Sequence, residues 1–141
     1  MCGISGYLVN NPFESARKLC TMSDSLYHRG PDDEGFVFGN RDTGSSATYS
    51  SARSPGAIKA LWPELPSSQA VAPHHLGMAQ VRYSIIDLSP GGHQPMWSAC
   101  GNVCLTFNGE IYNYLELREE LIQVGFHFHT QSDTEVLLHV P

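Results

Sequence analysis

The feature that most constrains the fold is a strand-like segment that begins at the second residue of the chain. Residues 2–9 combine small residues with β-formers, in the order Cys-Gly-Ile-Ser-Gly-Tyr-Leu-Val, and this predicts a strand that is buried on both faces. The initiator Met is usually trimmed when the next residue is small, and Cys is small. Trimming would place a thiol and a free α-amine together on Cys2.

Composition narrows the class of protein. The chain has 141 residues, enough for one domain, and is 41% hydrophobic and 16% charged, which argues against disorder. The net charge is -6 and basic residues do not cluster, so we expect no nucleic-acid partner. Apolar runs fall short of the roughly 20 residues of a membrane span. With sparse Cys and no signal peptide, we expect a cytoplasmic protein with reduced thiols and no membrane partner.

Local patterns predict an α+β layered domain with a mixed or antiparallel sheet, because strands and helices alternate while the strands occur in groups. Residues 39–73 differ in character, since Gly, Ser and Pro predict a long loop that docks without regular structure. The predicted elements are a helix opened by Asn11 to Glu14, a strand around Phe36 to Phe38, strand pieces at 76–80 and 84–88, a strand at 103–107, a helix from Asn113 to Gly125, a strand at 126–129 and a helix starting at Ser132.

Two positions are candidates for chemistry, one for nucleophilic attack and one for binding a carboxylate. Cys2 is either a nucleophile with its own α-amine as base or a small buried residue that opens a strand. Arg82 interrupts a stretch otherwise suited to burial. Its planar guanidinium is suited to a carboxylate, and the competing interpretation is an internal ion pair or an exposed strand residue.

Two further positions complete the set of candidates. Asn108 and Gly109 offer two N–H donors that would make an oxyanion hole, or they form a type I′ hairpin turn. Asp133 would hold an ammonium group, or it satisfies the dipole of a helix start. The seven His and four Cys lack the paired spacing of structural zinc ligands, so we expect no metal site.

Six sequence blocks follow one another in the order of a known family. The chain resembles the class II glutamine amidotransferase domain, an N-terminal-nucleophile hydrolase, and within it the glutamine-hydrolysing asparagine synthetase branch. The resemblance extends along the chain except for residues 39–73. The blocks are Met-Cys-Gly-Ile-Ser-Gly at 1–6, His-Arg-Gly-Pro-Asp-Asp-Glu-Gly at 28–35, Arg-Tyr-Ser-Ile-Ile-Asp-Leu-Ser at 82–89, Gly-His-Gln-Pro-Met at 92–96, Phe-Asn-Gly-Glu-Ile-Tyr-Asn-Tyr at 107–114 and Ser-Asp-Thr-Glu at 132–135.

The resemblance implies a layered α/β sandwich with mostly antiparallel sheets. It implies hydrolysis of L-glutamine through a Cys2 thioester, with ammonia passed to an acceptor domain that uses aspartate. It also implies a role for each matched position. Cys2 is the nucleophile, Arg82 holds the substrate α-carboxylate, Asn108 and Gly109 form the oxyanion hole, Glu110 and Asp133 hold the α-ammonium with help from the backbone near Ile85, and residues 28–32 form a loop that shapes the pocket.

The sequence also departs from the family pattern. Gln80 stands where the family often has His or Arg, and residues 39–73 resemble an insertion. The family domain continues beyond residue 141, and a synthetase domain that uses ATP and Mg follows it. We therefore interpret residues 1–141 as a partial type-2 amidotransferase domain, incomplete at its C-terminus, with no cofactor of its own. We expect Val140-Pro141 to break the last helix and the isolated chain to turn over glutamine poorly. The alternative is a non-catalytic remnant that binds an amino acid or a partner.

Overall fold

The computed structural model describes residues 1–139, and its helices and strands form the predicted α+β arrangement. None of the helices within residues 1–139 combines the length and the apolar character needed to cross a membrane. In chain order the elements are β1 (Gly3–Ser15), α1 (Arg17–Leu26), β2 (Asp33–Gly39), β3 (Ser46–Ser50), α2 (Gly56–Lys59), β4 (Ala70–Arg82), β5 (Met96–Trp97), β6 (Cys104–Leu105), α3 (Tyr114–Gln123) and α4 (Asp133–His139).

Four of the strands form the main sheet, in the order β1-β4-β2-β3, and every neighbouring pair is antiparallel. The register places Gly3 of β1 and Glu34 of β2 on either side of Val81 in β4. Strands β5 and β6 form a separate antiparallel pair. Since β4 lies between β1 and β2, its last residues, up to Arg82, are set directly beside the start of the chain.

Helix α1 covers one face of the main sheet and forms the hydrophobic core with it. Ala16 and Leu19 are fully buried against Phe36, Phe38 and Ala79. Phe36 and Phe38 alternate along β2 and so lie on the same face of the sheet. Their stacked rings are removed from water by α1, and this burial is the main source of stability for this layer.

The chain between β4 and α3 crosses the opposite face of the sheet. His93 Nδ1 hydrogen-bonds Asp33 Oδ2 at 2.6 Å, with both side chains buried, and Trp97 Nε1 donates to Thr48 Oγ1 at 2.9 Å. Gly35 makes this close approach possible, because a Cβ there would lie 2.6 Å from His93 Cε1. The crossing brings residues 90–107 over the end of β4 that carries Arg82.

The first strand is longer than predicted, and the helix that was predicted to open at Asn11 to Glu14 begins only at Arg17. β1 continues to Ser15 because Phe13 pairs with His74 and Ser15 with Ala70 across β4, with register shifts on either side of Phe13. Pro12 is tolerated there because β1 is an edge strand and lacks a regular ladder at that point. The expected burial of residues 2–9 on both faces is also wrong, since Leu8 is 73% exposed.

Residues 39–73 were expected to lack regular structure, and that expectation is wrong. They contain β3, which pairs with β2, the short helix α2, and the first residues of β4. The Trp62 ring packs on the buried His93 ring with centroids 4.6 Å apart. Ser54 Oγ donates to the Glu34 carbonyl at 2.8 Å. Pairing and packing with distant residues therefore order a segment whose local composition is that of a loop.

The predicted strand piece at 84–88 is also wrong, because the strand ends at Arg82. Beyond it, Asp87 organises a turn, and its carboxylate accepts the N–H of Ser89 at 2.8 Å and that of Gln131 at 2.9 Å. The predicted strand at 126–129 is replaced by irregular chain for a similar reason. There the Glu135 carboxylate accepts the N–H groups of His129 and Thr130, each at 2.8 Å, so these donors do not enter a ladder.

Both ends of α3 and the start of α4 agree with the prediction. Asn113 stands at the N-cap of α3, although its side chain makes no capping hydrogen bond. Gly125 follows α3 with a φ of 100°, the left-handed conformation that ends many helices. At the start of α4, Ser132 Oγ accepts the N–H of Thr134 at 3.2 Å, as its capping role predicts. The predicted break at Val140-Pro141 lies outside the described residues.

Candidate active site

A cavity of about 330 Å³ opens where the start of β1, the end of β4 and the start of α4 meet. The structure brings every residue singled out from the sequence for the site to its wall. The lining includes Cys2, Arg82, Ile85, Asn108, Gly109, Glu110 and Asp133. These residues come from four separate parts of the chain, and the antiparallel register of β1 and β4 gathers the first two. Their individual roles remain predictions.

The Cys2 thiol lies against the backbone of Tyr83. Its Sγ accepts the Tyr83 N–H at 3.4 Å and lies 3.7 Å from the Tyr83 carbonyl oxygen. Arg29 Nε donates to the Cys2 carbonyl at 3.0 Å, so the backbone of the nucleophile candidate is held from a second side. Met1, which is 81% exposed, also lies at the cavity wall.

The loop at 28–32 was expected to shape the pocket, and that role stays a prediction. None of its residues lines the cavity. Asp32 Oδ2 accepts the Ser84 N–H at 2.9 Å, while Gly30 packs on the β4 backbone so tightly that a Cβ would lie 2.6 Å from the carbonyl carbon of Val81. The loop therefore braces the end of β4 and the residues that follow it.

Arg82 is buried, with 8% of its surface exposed, and its guanidinium is fixed. Nη2 donates to the carbonyl of Asp87, and the group packs against Gly92, where a Cβ would come within 2.5 Å of Cζ. Burial raises the pKa of the Asp87 carboxyl, but hydrogen bonds from Ser89 and Gln131 and the Arg82 charge outweigh it and lower the pKa. A positive charge is thus presented at the cavity wall with a negative charge near it.

The segment Asn108–Gly109–Glu110 is exposed at the cavity wall. The hairpin interpretation of Asn108–Gly109 is wrong, because β6 ends at Leu105 and the next element is α3. Gly109 packs on the Phe107 ring, and a Cβ on it would lie 2.6 Å from Phe107 Cζ. On the far side of the segment, Asp133 Oδ2 accepts the N–H of Ile111 at 3.1 Å.

Sequence reasoning missed three contributors to the site. Asp87 and Gly92 fix the Arg82 guanidinium. Gln94 lines the cavity and makes hydrogen bonds with Phe107 and Thr134. All three lie inside the sequence blocks at 82–89 and 92–96, so their position was visible while their function was not. Each acts through a contact with backbone or glycine, which residue type alone does not indicate.

The four thiols differ in their surroundings, and all four are free. Burial raises the pKa of Cys104 to about 12, and burial with the nearby charges of Glu34 and Asp24 raises that of Cys20 to about 11. Cys100 is exposed, and its hydrogen bond with Ser98 lowers its pKa. Residues 1–139 contain no group of three or more side chains suited to hold a metal ion, so no step of the chemistry is assigned to one.

Comparison with known proteins places this cavity in a family context. The family model for the glutamine amidotransferase domain matches residues 66–141. Asparagine synthetase [glutamine-hydrolyzing] 1 of Bacillus subtilis is 55% identical over 64 residues, which cover 45% of the chain and 10% of that relative. Asparagine synthetase [glutamine-hydrolyzing] 3 of the same organism is 31% identical over 145 residues, covering 99% of the chain and 18% of the relative.

A relative that is not named as an asparagine synthetase matches over a similar range. Glutamine--fructose-6-phosphate aminotransferase [isomerizing] of Thermococcus kodakarensis is 30% identical over 144 residues, covering 99% of the chain and 22% of the relative. The chain thus spans between 10% and 22% of the length of these three relatives. Since the family model covers more than half of the residues, the chain belongs to the glutamine amidotransferase domain family.

Proposed function

We propose that this domain hydrolyses the side-chain amide of L-glutamine and releases ammonia, as the glutaminase part of an asparagine synthetase-like enzyme. The observation that carries the proposal is the composition of the cavity wall. One small cavity is lined by a thiol, a fixed guanidinium, three carboxylates and an Asn–Gly pair of N–H donors. That set matches a free α-amino acid with an amide side chain, because each group of glutamine finds a complementary partner.

The proposed reaction begins once Met1 is removed. The α-amine of Cys2, with an ordinary pKa of about 7.7–8.0, takes the thiol proton, and Sγ attacks the amide carbon. Asn108 and Gly109 donate hydrogen bonds to the oxyanion of the tetrahedral intermediate. The protonated amine gives its proton to the leaving nitrogen, and ammonia departs. Water then attacks the γ-glutamyl thioester, which releases glutamate and restores the thiol.

Recognition of the substrate is assigned to the charged residues around the thiol. Arg82 binds the α-carboxylate, and its fixed guanidinium offers two parallel N–H bonds to a planar anion. Glu110 and Asp133, with the backbone near Ile85, bind the α-ammonium. Asp133 Oδ2 already accepts the Ile111 N–H, so its position is set before the substrate arrives.

The test is acylation of Cys2 by a chromogenic substrate, γ-L-glutamyl p-nitroanilide, which releases p-nitroaniline as the thioester forms. A burst of one equivalent reports acylation even where turnover is slow. We expect a burst from the Met1-trimmed chain, protection by L-glutamine, and a diazoketone analogue of glutamine attached to Cys2 in the peptide map. The Cys2→Ala variant is the control. Absence of a burst, or analogue attached to Cys100 without glutamine protection, would contradict the proposal.

The ammonia acceptor is a separate part of the proposal. We propose aspartate, because a relative that is 55% identical over 64 residues is named as a glutamine-hydrolysing asparagine synthetase. We also place the protein in the cytoplasm, because its four thiols are free and structural disulfides mark oxidising compartments. Cells with a chromosomal Cys2→Ala change should require asparagine when ammonium is scarce. A requirement for amino sugar instead would replace aspartate with the acceptor named for the Thermococcus kodakarensis relative.

A further inference from the structure

Gln94 makes two hydrogen bonds that the proposed reaction does not use. Its side chain is buried, with 6% of the residue exposed. Oε1 accepts the N–H of Phe107 at 2.7 Å, and Nε2 donates to Thr134 Oγ1 at 3.0 Å. One amide therefore joins the residue just before the oxyanion pair to the first turn of α4. Each end of the amide therefore makes one of its two possible hydrogen bonds to another part of the protein, which fixes the amide plane at the border of the cavity.

Gln80 holds the same residue from the other side. It is 1% exposed, and its Nε2 donates to the carbonyl oxygen of Phe107 at 2.8 Å. That carbonyl belongs to the peptide that joins Phe107 to Asn108, so the bond fixes the plane from which Asn108 departs. Gln80 lies two residues before Arg82 on β4, and alternation places both on the same face of the sheet.

The two glutamines and Asp133 hold the residues on either side of the oxyanion pair, Asn108 and Gly109, by hydrogen bonds. Phe107 is held through both its N–H and its C=O, and Ile111 is held by Asp133 Oδ2. Only Asn108, Gly109 and Glu110 lie between these two fixed points. They are exposed and lie outside helix and strand, so the direction of their donors depends on where the fixed points stand.

We propose that Gln80 and Gln94 are positioning residues of amide hydrolysis, which act through the Phe107 peptide on the donors at Asn108 and Gly109. This inference rests on the proposed glutaminase function. A donor must stand at about 2.7–3.1 Å from the oxyanion that forms during the reaction, and a misplacement of about 1 Å costs roughly 10² in rate. The two amides supply that placement through their hydrogen bonds to the N–H and the carbonyl of Phe107.

The first test separates acylation from binding. In the γ-glutamyl p-nitroanilide burst, Gln94→Leu should lower the acylation rate constant by about 10²-fold, while the apparent Kd changes by less than about threefold. Alkylation of Cys2 by iodoacetamide needs no oxyanion donor and should stay at the parent rate. Gln123→Leu, at an exposed position on α3, is the matched control and should leave both rates unchanged.

The second test replaces Gln80 with an ionisable residue, and its result does not depend on whether Gln94→Leu folds. In Gln80→Glu the ionised carboxylate has no donor for the Phe107 carbonyl, whereas the protonated acid regains an O–H donor. Acylation relative to the parent should therefore be lowest at about pH 8 and recover as the pH falls through the pKa of the introduced carboxyl, which burial raises above its ordinary value of about 4.3. Gln94→Glu keeps an acceptor for the Phe107 N–H, so it should lose less than Gln80→Glu at about pH 8.

The outcomes separate this inference from the function on which it rests. A parent chain with no burst overturns the proposed function and this inference with it. A normal burst in the parent and in folded Gln94→Leu, or a flat ratio across pH for Gln80→Glu, overturns the positioning role alone. Equal losses in acylation and in iodoacetamide alkylation also overturn it, because they would show a general disturbance around Cys2.

Discussion

Replacing Gly92 with Ala tests whether the fixed guanidinium of Arg82 recognises the substrate. The new Cβ would lie 2.5 Å from Arg82 Cζ and closer still to Nη2, whereas ordinary contact begins near 3.4 Å, so the guanidinium must retreat by at least about 0.9 Å. The clashing atoms are the far end of a flexible side chain, and Gly92 is not among the glycines with positive φ. The fold should therefore tolerate Ala while the guanidinium moves.

The expected loss follows from that displacement. A recognition group misplaced by about 1 Å costs roughly 10²-fold in reaction rate, which is about 2.7 kcal/mol of transition-state free energy. The loss should fall on kcat/KM, or on its single-turnover equivalent, because the α-carboxylate contact orients the substrate as well as binding it. Thermal stability should change little.

The assay is the γ-glutamyl p-nitroanilide burst, analysed as the acylation rate constant divided by the apparent Kd. Gly56→Ala is the matched control, because nothing lies within 4 Å of a Cβ at that position. Iodoacetamide should alkylate Cys2 in Gly92→Ala at the parent rate, since that reagent has no carboxylate to bind. A folded Gly92→Ala chain whose burst matches that of the Gly56→Ala control would refute the reasoning about Arg82.

Three further predictions follow from the site. Asn108→Ala should lower the acylation rate by about 10²–10³, the usual effect of one oxyanion donor; an unchanged burst would remove Asn108 from that role. The lowered pKa of Asp87 means that its ionised form stabilises the fold above its ordinary pKa of 3.8, and that this stability is lost as the pH falls through the folded value. Urea unfolding should thus show Asp87→Asn less stable than the parent near neutral pH, with the gap closing in acid; a gap independent of pH would contradict the assignment. Iodoacetamide at neutral pH should modify Cys100 and spare Cys20 and Cys104, whose pKa values are raised to about 11 and about 12; peptide mapping decides, and rapid labelling of Cys104 would show that its burial is overstated.

The sequence predicted those elements whose signals are local. Gly125 ends α3 through its own left-handed conformation, and Ser132 caps α4 with its own hydroxyl. The elements that were mispredicted depend on distant partners. The residues around Asn11 carry helix-start signals, yet pairing with His74 and Ala70 across β4 extends the strand to Ser15.

The residues of the candidate site also fall into those that the sequence identified and those whose role depends on distant contacts. Residues with distinctive chemistry, such as Cys2 and Arg82, were identified from their type and from the sequence blocks that contain them. Gln80 and Gln94 were not assigned a role, because each reaches the backbone of Phe107, which is 27 residues away for Gln80 and 13 for Gln94. An amide side chain has no preferred chemistry of its own, so only the folded chain indicates what it holds.

The place of Met1 at the cavity wall has a consequence for when and in what form the protein can work. If the Cys2 α-amine is the base, the chain becomes active only after the peptide bond between Met1 and Cys2 is cut. An aminopeptidase then acts as the switch, and the exposure of Met1 leaves the bond open to it. For the same reason, an affinity tag fused ahead of Met1 would prevent release of the Cys2 α-amine. Protein prepared for activity assays therefore needs an untagged N-terminus.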